Sequence, residues 1–538
     1  MEVRSFDGPE ADDDAAVLPG VPDRDPPQPP TAEDLGAIAS SLGLTLSAAD
    51  LEEFVRLQEP LLSSYARLDV LFRRFVSDAA PASSEQRDPG SPPSPEENRL
   101  GAWFWQARIR EREAGLLAGK SVAIKDNIAV AGLPMMAGTE LLRGFMPTRD
   151  ATVVARVLAE GGEIEGKTVC ESLSSSAGSH TSATGPVRNP FDPSRSAGGS
   201  SSGNGVVLAS REVDMAIGSD QAGSIRIPAS WCGVVGLKPT FGLVPYGGIA
   251  PLELTLDHAG PMARTVEDVA LLLAAMTGGD QPDLRQDDTG PAGRPVALGG
   301  GVSGLRIGVV TEAFRWQASQ SDVDDAVREA AHAFQRLGAR AAEISVPWHR
   351  EGLHVYNAIC LEGSAALMGD GMGIVTNVKA ADQLPFAEAY ASGRRTEPDG
   401  LPDTFLRGLL LGEYMRRAYS GRYYARARDL GAHLSAAYDD ALSRVDLLAL
   451  PTAPMKATKL PSSIAGLTER VIRGFEMIHN TSPFNVTGHP SISLPCAISE
   501  GLPIGMMLVA RHGEEALLLR AAATFESDVF AAPEPRLG

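Results

Sequence analysis

Short runs of consecutive apolar residues alternate along this chain with longer stretches in which apolar positions recur every three or four residues. That is the pattern of buried strands separated by amphipathic helices. Ser121-Val-Ala-Ile124, Gly166-Lys-Thr-Val-Cys170, Leu305-Arg-Ile-Gly-Val-Val310, Val445-Asp-Leu-Leu-Ala-Leu450 and Ser491-Ile-Ser-Leu-Pro495 read as strands. Helical spacing runs through 152–160 (Val153, Val154, Val157, Leu158), through Val266–Met276 and from Val323 to about Leu337, and 351–440 is mostly helical. The alternation predicts an α/β domain on a largely parallel or mixed sheet, covering about 99–530.

The first 98 residues break the pattern. In 1–30 acidic side chains and prolines dominate without any hydrophobic period, so this stretch is expected to be a disordered acidic tail. Thr31 caps an expected helix carrying Leu35, Ile38 and Leu42, and Ser47 a second with Leu51, Phe54 and Val55. After Pro60 an apolar stripe continues through Leu61, Tyr65, Leu68 and Leu71. A helical segment of this size, 31–80, is too small to be stable alone and is expected to pack on the main domain or make a dimer. Residues 81–98, rich in Pro, Ser, Glu and Gly, read as a linker.

Composition narrows the function. Of 538 residues 43% are hydrophobic, enough for a large core, and a net charge of −20 disfavours a nucleic-acid partner. No apolar run approaches the ~18 residues of a membrane span, and no secretory h-region follows Met1. Cys170, Cys232, Cys360 and Cys496 are too scattered for a metal knuckle or a disulfide scaffold and read as buried thiols of a reduced, cytoplasmic protein.

The candidate chemistry lies in 171–228, whose first part is a long run of Ser, Gly, Thr and Asn without periodicity, of the kind that is usually functional or mobile. A serine hydroxyl needs a base to attack a carbonyl. Ser224 sits on a tight turn of small residues where the backbone N–H groups of Gln221, Ala222 and Gly223 could face an oxyanion. Ser200, on a glycine-flanked turn, could relay its proton, since a hydroxyl both donates and accepts. His180, His258 and His489 have no comparable setting. Lys125, at the end of a predicted strand, is the better base if burial lowers its pKa. Taken one at a time, a lysine at a strand end is ordinarily a solvated residue and a Ser/Gly run ordinarily a linker.

Val122-Ala-Ile-Lys125-Asp-Asn127, Ala197-Gly-Gly-Ser200-Ser201-Ser202-Gly203 and Asp220-Gln-Ala-Gly-Ser224-Ile-Arg226-Ile-Pro228 resemble the three sequence blocks of the amidase signature family. Further matches are Gly185-Pro-Val-Arg-Asn-Pro190, Gly236-Leu-Lys-Pro-Thr240, Pro483-Phe-Asn-Val-Thr-Gly-His-Pro490 and Gly501-Leu-Pro-Ile-Gly-Met506. With its helical N-terminal segment the chain is most similar to bacterial amidases of the nitrile-degradation type. The resemblance implies a mixed sheet of about eleven strands flanked by helices. It also implies a Ser-Ser-Lys triad of Ser224 as acylated nucleophile, Ser200 after a cis peptide with Gly199, and Lys125 as base. The implied reaction is hydrolysis of a small-molecule amide through an acyl-enzyme, without metal or cofactor, in a homodimer. An aryl-acylamidase, carbamate hydrolase or esterase would use the same triad. The ammonia-releasing component of a glutaminyl-tRNA amidotransferase and a catalytically silent binding protein are further alternatives. Two departures bear on the substrate. Ala222 stands where many relatives have glycine, and Ser174-Ser175-Ser176 replaces a bulky apolar residue at the expected substrate pocket, beside Gly199.

Overall fold

The computed structural model describes residues 30–41, 44–57, 67, 87–280, 283, 285–286, 297–371, 384–397 and 399–535. The chain divides into two compact units, Met1–Ser84 and Glu85–Gly538. In the first, a helix spans Ala32–Ser41 and a second covers 48–57. Both open with the cap foreseen from the sequence. Asp34 N–H donates to Thr31 Oγ1 at 3.1 Å while Thr31 N–H donates to Asp34 Oδ2 at 2.8 Å, and Asp50 N–H donates to Ser47 Oγ at 3.1 Å. The expected acidic tail up to residue 29, and the apolar stripe beyond 57 apart from Arg67, lie outside the described residues.

The second unit is built on one eleven-stranded mixed sheet. Its strands are β1 (Trp103–Ile109), β2 (Ser121–Lys125), β3 (Glu163–Thr168), β4 (Met215–Asp220), β5 (Val235–Lys238), β6 (His258–Ala263), β7 (Arg306–Val310), β8 (Arg340–Ile344), β9 (Leu447–Pro451), β10 (Ser491–Ser499) and β11 (Leu502–Val509). Their order across the sheet is β1-β3-β2-β4-β6-β5-β10-β11-β9-β7-β8. Strands β4, β9 and β11 are buried along their whole length, as a sheet covered by helices on both faces requires. Helices Thr152–Ala159, Val266–Met276 and Ser321–Ala333 bury Val153, Val157, Val269, Leu273, Val323 and Val327 on it. Among the described residues no helix is long and apolar enough to cross a membrane, and all four cysteines are free thiols.

Three neighbouring strands determine where the chemistry sits. β3, β2 and β4 run parallel, with Lys125 opposite Thr168 and Ile124 opposite Ile217. Their carboxyl ends therefore open at one edge of the sheet, the usual place for a site in an α/β fold. The segments that follow them, 126–127, 169–201 and 221–225, carry the candidate side chains.

Two expectations need correction. The Ser/Gly stretch is not loop throughout, because 202–209 is a fully buried helix. Its composition argues against a helix. Tertiary contact overrides this: a Cβ on Gly203 would stand 2.2 Å from the Ala102 carbonyl oxygen, so only glycine lets the helix approach the backbone beside β1. Of the expected linker, residues 87–98 are packed on the catalytic body. Arg87 pairs with Asp150 at 2.7 Å with its side chain 8% exposed, and Ser91 pairs with Gln106 of β1.

Candidate active site

The segment after β3 holds itself in place with its own hydroxyls. Ser179 Oγ donates to the Val187 carbonyl at 2.7 Å and accepts from Ala197 N–H at 3.1 Å, and Asn189 Nδ2 donates to the carbonyls of Ser196 and Trp231 at 3.0 and 2.9 Å. Buried backbone without a regular ladder needs such partners. This is the physical reason the stretch is rich in Ser, Thr and Asn. It delivers Ser200 through a cis Gly199–Ser200 peptide bond to a position where the Ser200 carbonyl accepts from Glu171 N–H at 3.2 Å. Ser200 is fully buried.

Lys125, at the end of β2, is also fully buried. Its Nζ lies 2.8 Å from Ser200 Oγ, 2.8 Å from Ser219 Oγ and 3.3 Å from the Ser219 carbonyl oxygen. Asn127 Nδ2 donates to Ser219 Oγ at 3.0 Å. Burial pushes the lysine down from 10.5 to about 8, against the opposing pull of Cys170, Asp220, Asp257 and Glu171.

Ser224 comes in on the turn between β4 and the helix Arg226–Cys232. Ser201 N–H donates to the Ser224 carbonyl at 3.1 Å, which ties the two serine-bearing turns together. Asp220 organises this turn. Its carboxylate accepts from Gly223 N–H at 2.7 Å, Ile225 N–H at 3.0 Å, Arg226 Nε and Nη2 at 3.0 and 2.9 Å, and Asn485 Nδ2 at 2.9 Å. Burial alone would raise the Asp220 pKa, but the Arg226 charge and these donors hold it well below the usual carboxylate range. The buried pair is thus a fixed charged cradle for the turn.

The backbone donors of the turn sort accordingly. Gly223 N–H, expected to face an oxyanion with those of Gln221 and Ala222, is engaged by the Asp220 carboxylate instead. The N–H groups of Gln221, Ala222 and Ser224 have no acceptor among the described residues. Gly223 itself has φ +133°, and a Cβ there would lie 2.4 Å from Thr481 Oγ1, so this position requires glycine. Ala222 is different. Its φ is not positive, so its methyl group adds no backbone strain, and its carbonyl accepts from the Thr481 hydroxyl.

Ser224 opens into a cavity of about 420 Å³. Ser174, Ser175 and Ser176 line it as expected, Ser174 at φ +57° with its hydroxyl buried and unpartnered. Leu353, Tyr356, Leu361, Phe405, Ile472 and Phe475 make the wall apolar, while Arg407, Glu476 and His479 add the charged or titratable groups. These residues belong to helices Gly352–Ser364, Asp403–Tyr419 and Leu467–Phe475 and the turn after the last, within and beyond the region foreseen as a helical cover. Gly199 is not among the lining residues; a Cβ there would crowd Glu171 Cγ at 2.9 Å, so its smallness serves packing.

None of the three histidines weighed as bases reaches the serines. His180 bonds the carbonyls of Gly178 and Arg470, His258 bonds that of Leu256, and His489 bonds Thr487 and Asp439. Sequence reasoning missed Ser219, the second partner of Lys125. The signal was its place one residue before Asp220 at the end of a strand that pairs with β2. Arg226 and Asn485 stood in recognised motifs without a role assigned to them. No group of three metal-ligating side chains converges on Ser224 among the described residues.

A family model described as "Amidase" matches residues 94–519. The chain is 41% identical to an enantioselective amidase of Rhodococcus rhodochrous over 513 residues, 94% of this chain and 97% of that one. It is 37% identical to the first component of the glutamyl-tRNA(Gln) amidotransferase of Methanosarcina mazei, over 78% of this chain and 86% of that one. Among solved structures, 6-aminohexanoate cyclic dimer hydrolase superposes with a TM-score of 0.69 at 29% identity, covering 79% of this chain and 88% of that one. A bacterial aryl acylamidase of the amidase signature enzymes superposes with a TM-score of 0.65 at 25% identity, covering 77% and 83%. Three sequence blocks converging at the open end of one eleven-stranded sheet, with a family match across most of the catalytic unit, establish that this chain belongs to the amidase signature family of amide-hydrolysing enzymes.

Proposed function

We propose that the chain hydrolyses carboxylic amides with a bulky apolar acyl group through an acyl-enzyme on Ser224, in the manner of a bacterial nitrile-degradation-type amidase. The observation that carries the reading is the buried Lys125 Nζ at 2.8 Å from Ser200 Oγ. A neutral lysine has two N–H donors and one lone pair. Ser219 Oγ and the Ser219 carbonyl occupy the two donors, so the lone pair is left for the Ser200 hydroxyl. As Ser224 Oγ attacks the carbonyl carbon, its proton passes to Ser200 Oγ and the Ser200 proton to Lys125. The resulting oxyanion is met by backbone N–H groups of Gln221, Ala222 and Ser224. Collapse breaks the C–N bond, and the proton returns along the same path to the leaving amine. Water then attacks the ester by the reverse relay.

The apolar wall of Leu353, Tyr356, Phe405 and Phe475 supports aryl or branched aliphatic acyl groups over a free amino acid such as glutamine. Alignment coverage supports the same choice. The match to the enantioselective amidase takes in 94% of this chain and that to the amidotransferase component 78%, so the former accounts for more of this sequence. The test is a panel of aryl and aliphatic amides, anilides, carbamates, esters and glutamine, run with the purified chain and Ser224→Ala. Aryl or branched amides are expected to head the panel, and Ser224→Ala to be inactive. Glutamine as the best substrate, or substantial turnover by Ser224→Ala, would overturn the reading.

A further inference from the structure

A second cluster of chemically active side chains lies away from Ser224, at the end of the β10–β11 pair. Ser491 pairs with Val509, and Ala510 N–H donates to the Pro490 carbonyl. The antiparallel register therefore brings His489, just before β10, beside His512, just after β11. Their rings lie 4.0 Å apart between centroids. Asp439, on the helix Arg422–Arg444, closes the group, with its Oδ1 3.0 Å from His489 Nε2. One ligand atom from each of the three residues lies within 4.8 Å of the others.

The remaining ring nitrogens are already spoken for. His512 Nε2 lies 2.8 Å from the Thr487 carbonyl oxygen. A carbonyl only accepts, so Nε2 carries the proton and Nδ1 keeps a lone pair. His489 Nδ1 lies 2.9 Å from Thr487 Oγ1, which can accept its proton and leave Nε2 with a lone pair toward Asp439. Two imidazoles that donate their distal N–H to a hydroxyl and a backbone carbonyl, and point lone pairs toward one carboxylate, have the outer shell of a transition-metal site. Burial and His512 together push His489 down to about 3, so its ring is neutral across the working range. Lys238 is the cation that bears on His489; its own burial disfavours its charged form. The buried His489 forms the floor, and the exposed Asp439 and His512 leave an open path for an ion.

We propose that His489 Nε2, His512 Nδ1 and a carboxylate oxygen of Asp439 bind one divalent transition-metal ion of the zinc, cobalt or nickel type. Water completes the coordination, as at three-ligand sites. The ion would link the ends of β10 and β11 to the helix Arg422–Arg444. It takes no part in the chemistry at Ser224.

The test is titration of the chelator-treated full chain with Co(II), followed by visible absorption and calorimetry. Wild type is expected to bind one equivalent with a ligand-field band, and to gain thermal stability in its presence. His512→Gln and Asp439→Asn, each confirmed folded by circular dichroism, should weaken binding at least tenfold. Thr487→Val should weaken it less while keeping the one-to-one stoichiometry. Absence of saturable binding by wild type, or affinity unchanged in both ligand variants, would overturn the proposal and leave an Asp439–His489 ion pair with a stacked ring.

Discussion

Lys125 gives the most quantitative prediction, because its environment sets both the activity and the stability of the protein against pH. The lysine is fully buried and pushed down to about 8 from 10.5. If its neutral form is the base, acylation follows the neutral fraction, about 1% at pH 6, about 9% at pH 7, about 50% at pH 8 and about 90% at pH 9. Single-turnover acylation of a chromogenic anilide should then rise about tenfold from pH 6 to 7, about fivefold from 7 to 8 and less than about twofold from 8 to 9. An ordinary lysine would keep rising about tenfold per pH unit through pH 9.

Stability carries the same signature with a definite sign. Between about 8 and 10.5 the unfolded chain holds a proton that the folded chain does not, so folding becomes more favourable as pH rises through this window. The full span corresponds to about 3 kcal/mol, present as a burden below pH 8 and relieved above 10.5. Lys125→Met has no such proton. Its stability relative to wild type, from denaturant midpoints at pH 7 to 10.5, should decline as pH rises, and its acylation should be slower by about 10²–10⁴-fold. A flat rate profile from pH 6 to 8, a rise continuing tenfold per unit past pH 9, or a stability difference independent of pH would refute the reasoning.

Other expectations follow from particular contacts. Gly223→Ala forces a Cβ to 2.4 Å from Thr481 Oγ1 at φ +133°; the strain of about 1–3 kcal/mol should appear as a lowered denaturant midpoint with turnover reduced at least tenfold. Ser175→Phe places a ring in the cavity and should lower kcat/KM for bulky aryl amides more than for acetamide-sized ones, measured side by side. We expect a chain lacking 1–84, the whole first unit, to run as a monomer in light scattering where the full chain runs as a dimer; a dimer from both would remove that unit from the interface.

How much of this is legible in the sequence depends on the physics of each stretch. Helix Val266–Met276 is legible to the residue, because its apolar spacing and the Thr265 cap, which accepts from Asp268 N–H, are local signals. Strand β4 is not, although it carries Ser219 and Asp220; Met215-Ala-Ile-Gly-Ser-Asp220 is buried on both faces and shows no alternation to detect. The helix Ser202–Ala209 is hidden because Gly203 and the serines answer to neighbouring backbone and not to helix propensity. The site is more legible than the fold around it, since Lys125, Ser200 and Ser224 each sit in a motif. Their convergence depends on the parallel register of β2 and β4, which no local pattern encodes. The cavity wall is barely legible, since Tyr356, Phe405 and Phe475 come from helices whose apolar positions look like ordinary core.

The most direct test of the mechanism is the identity of the residue that becomes acylated, and what activates it. The chain is treated with an aryl fluorophosphonate and digested, and the modified peptide is located by mass spectrometry. A single adduct is predicted on Ser224, formed at a rate that falls at least a hundredfold in Lys125→Met while the fold is retained. An adduct on another residue, or labelling of Ser224 at an undiminished rate without the lysine, would contradict it.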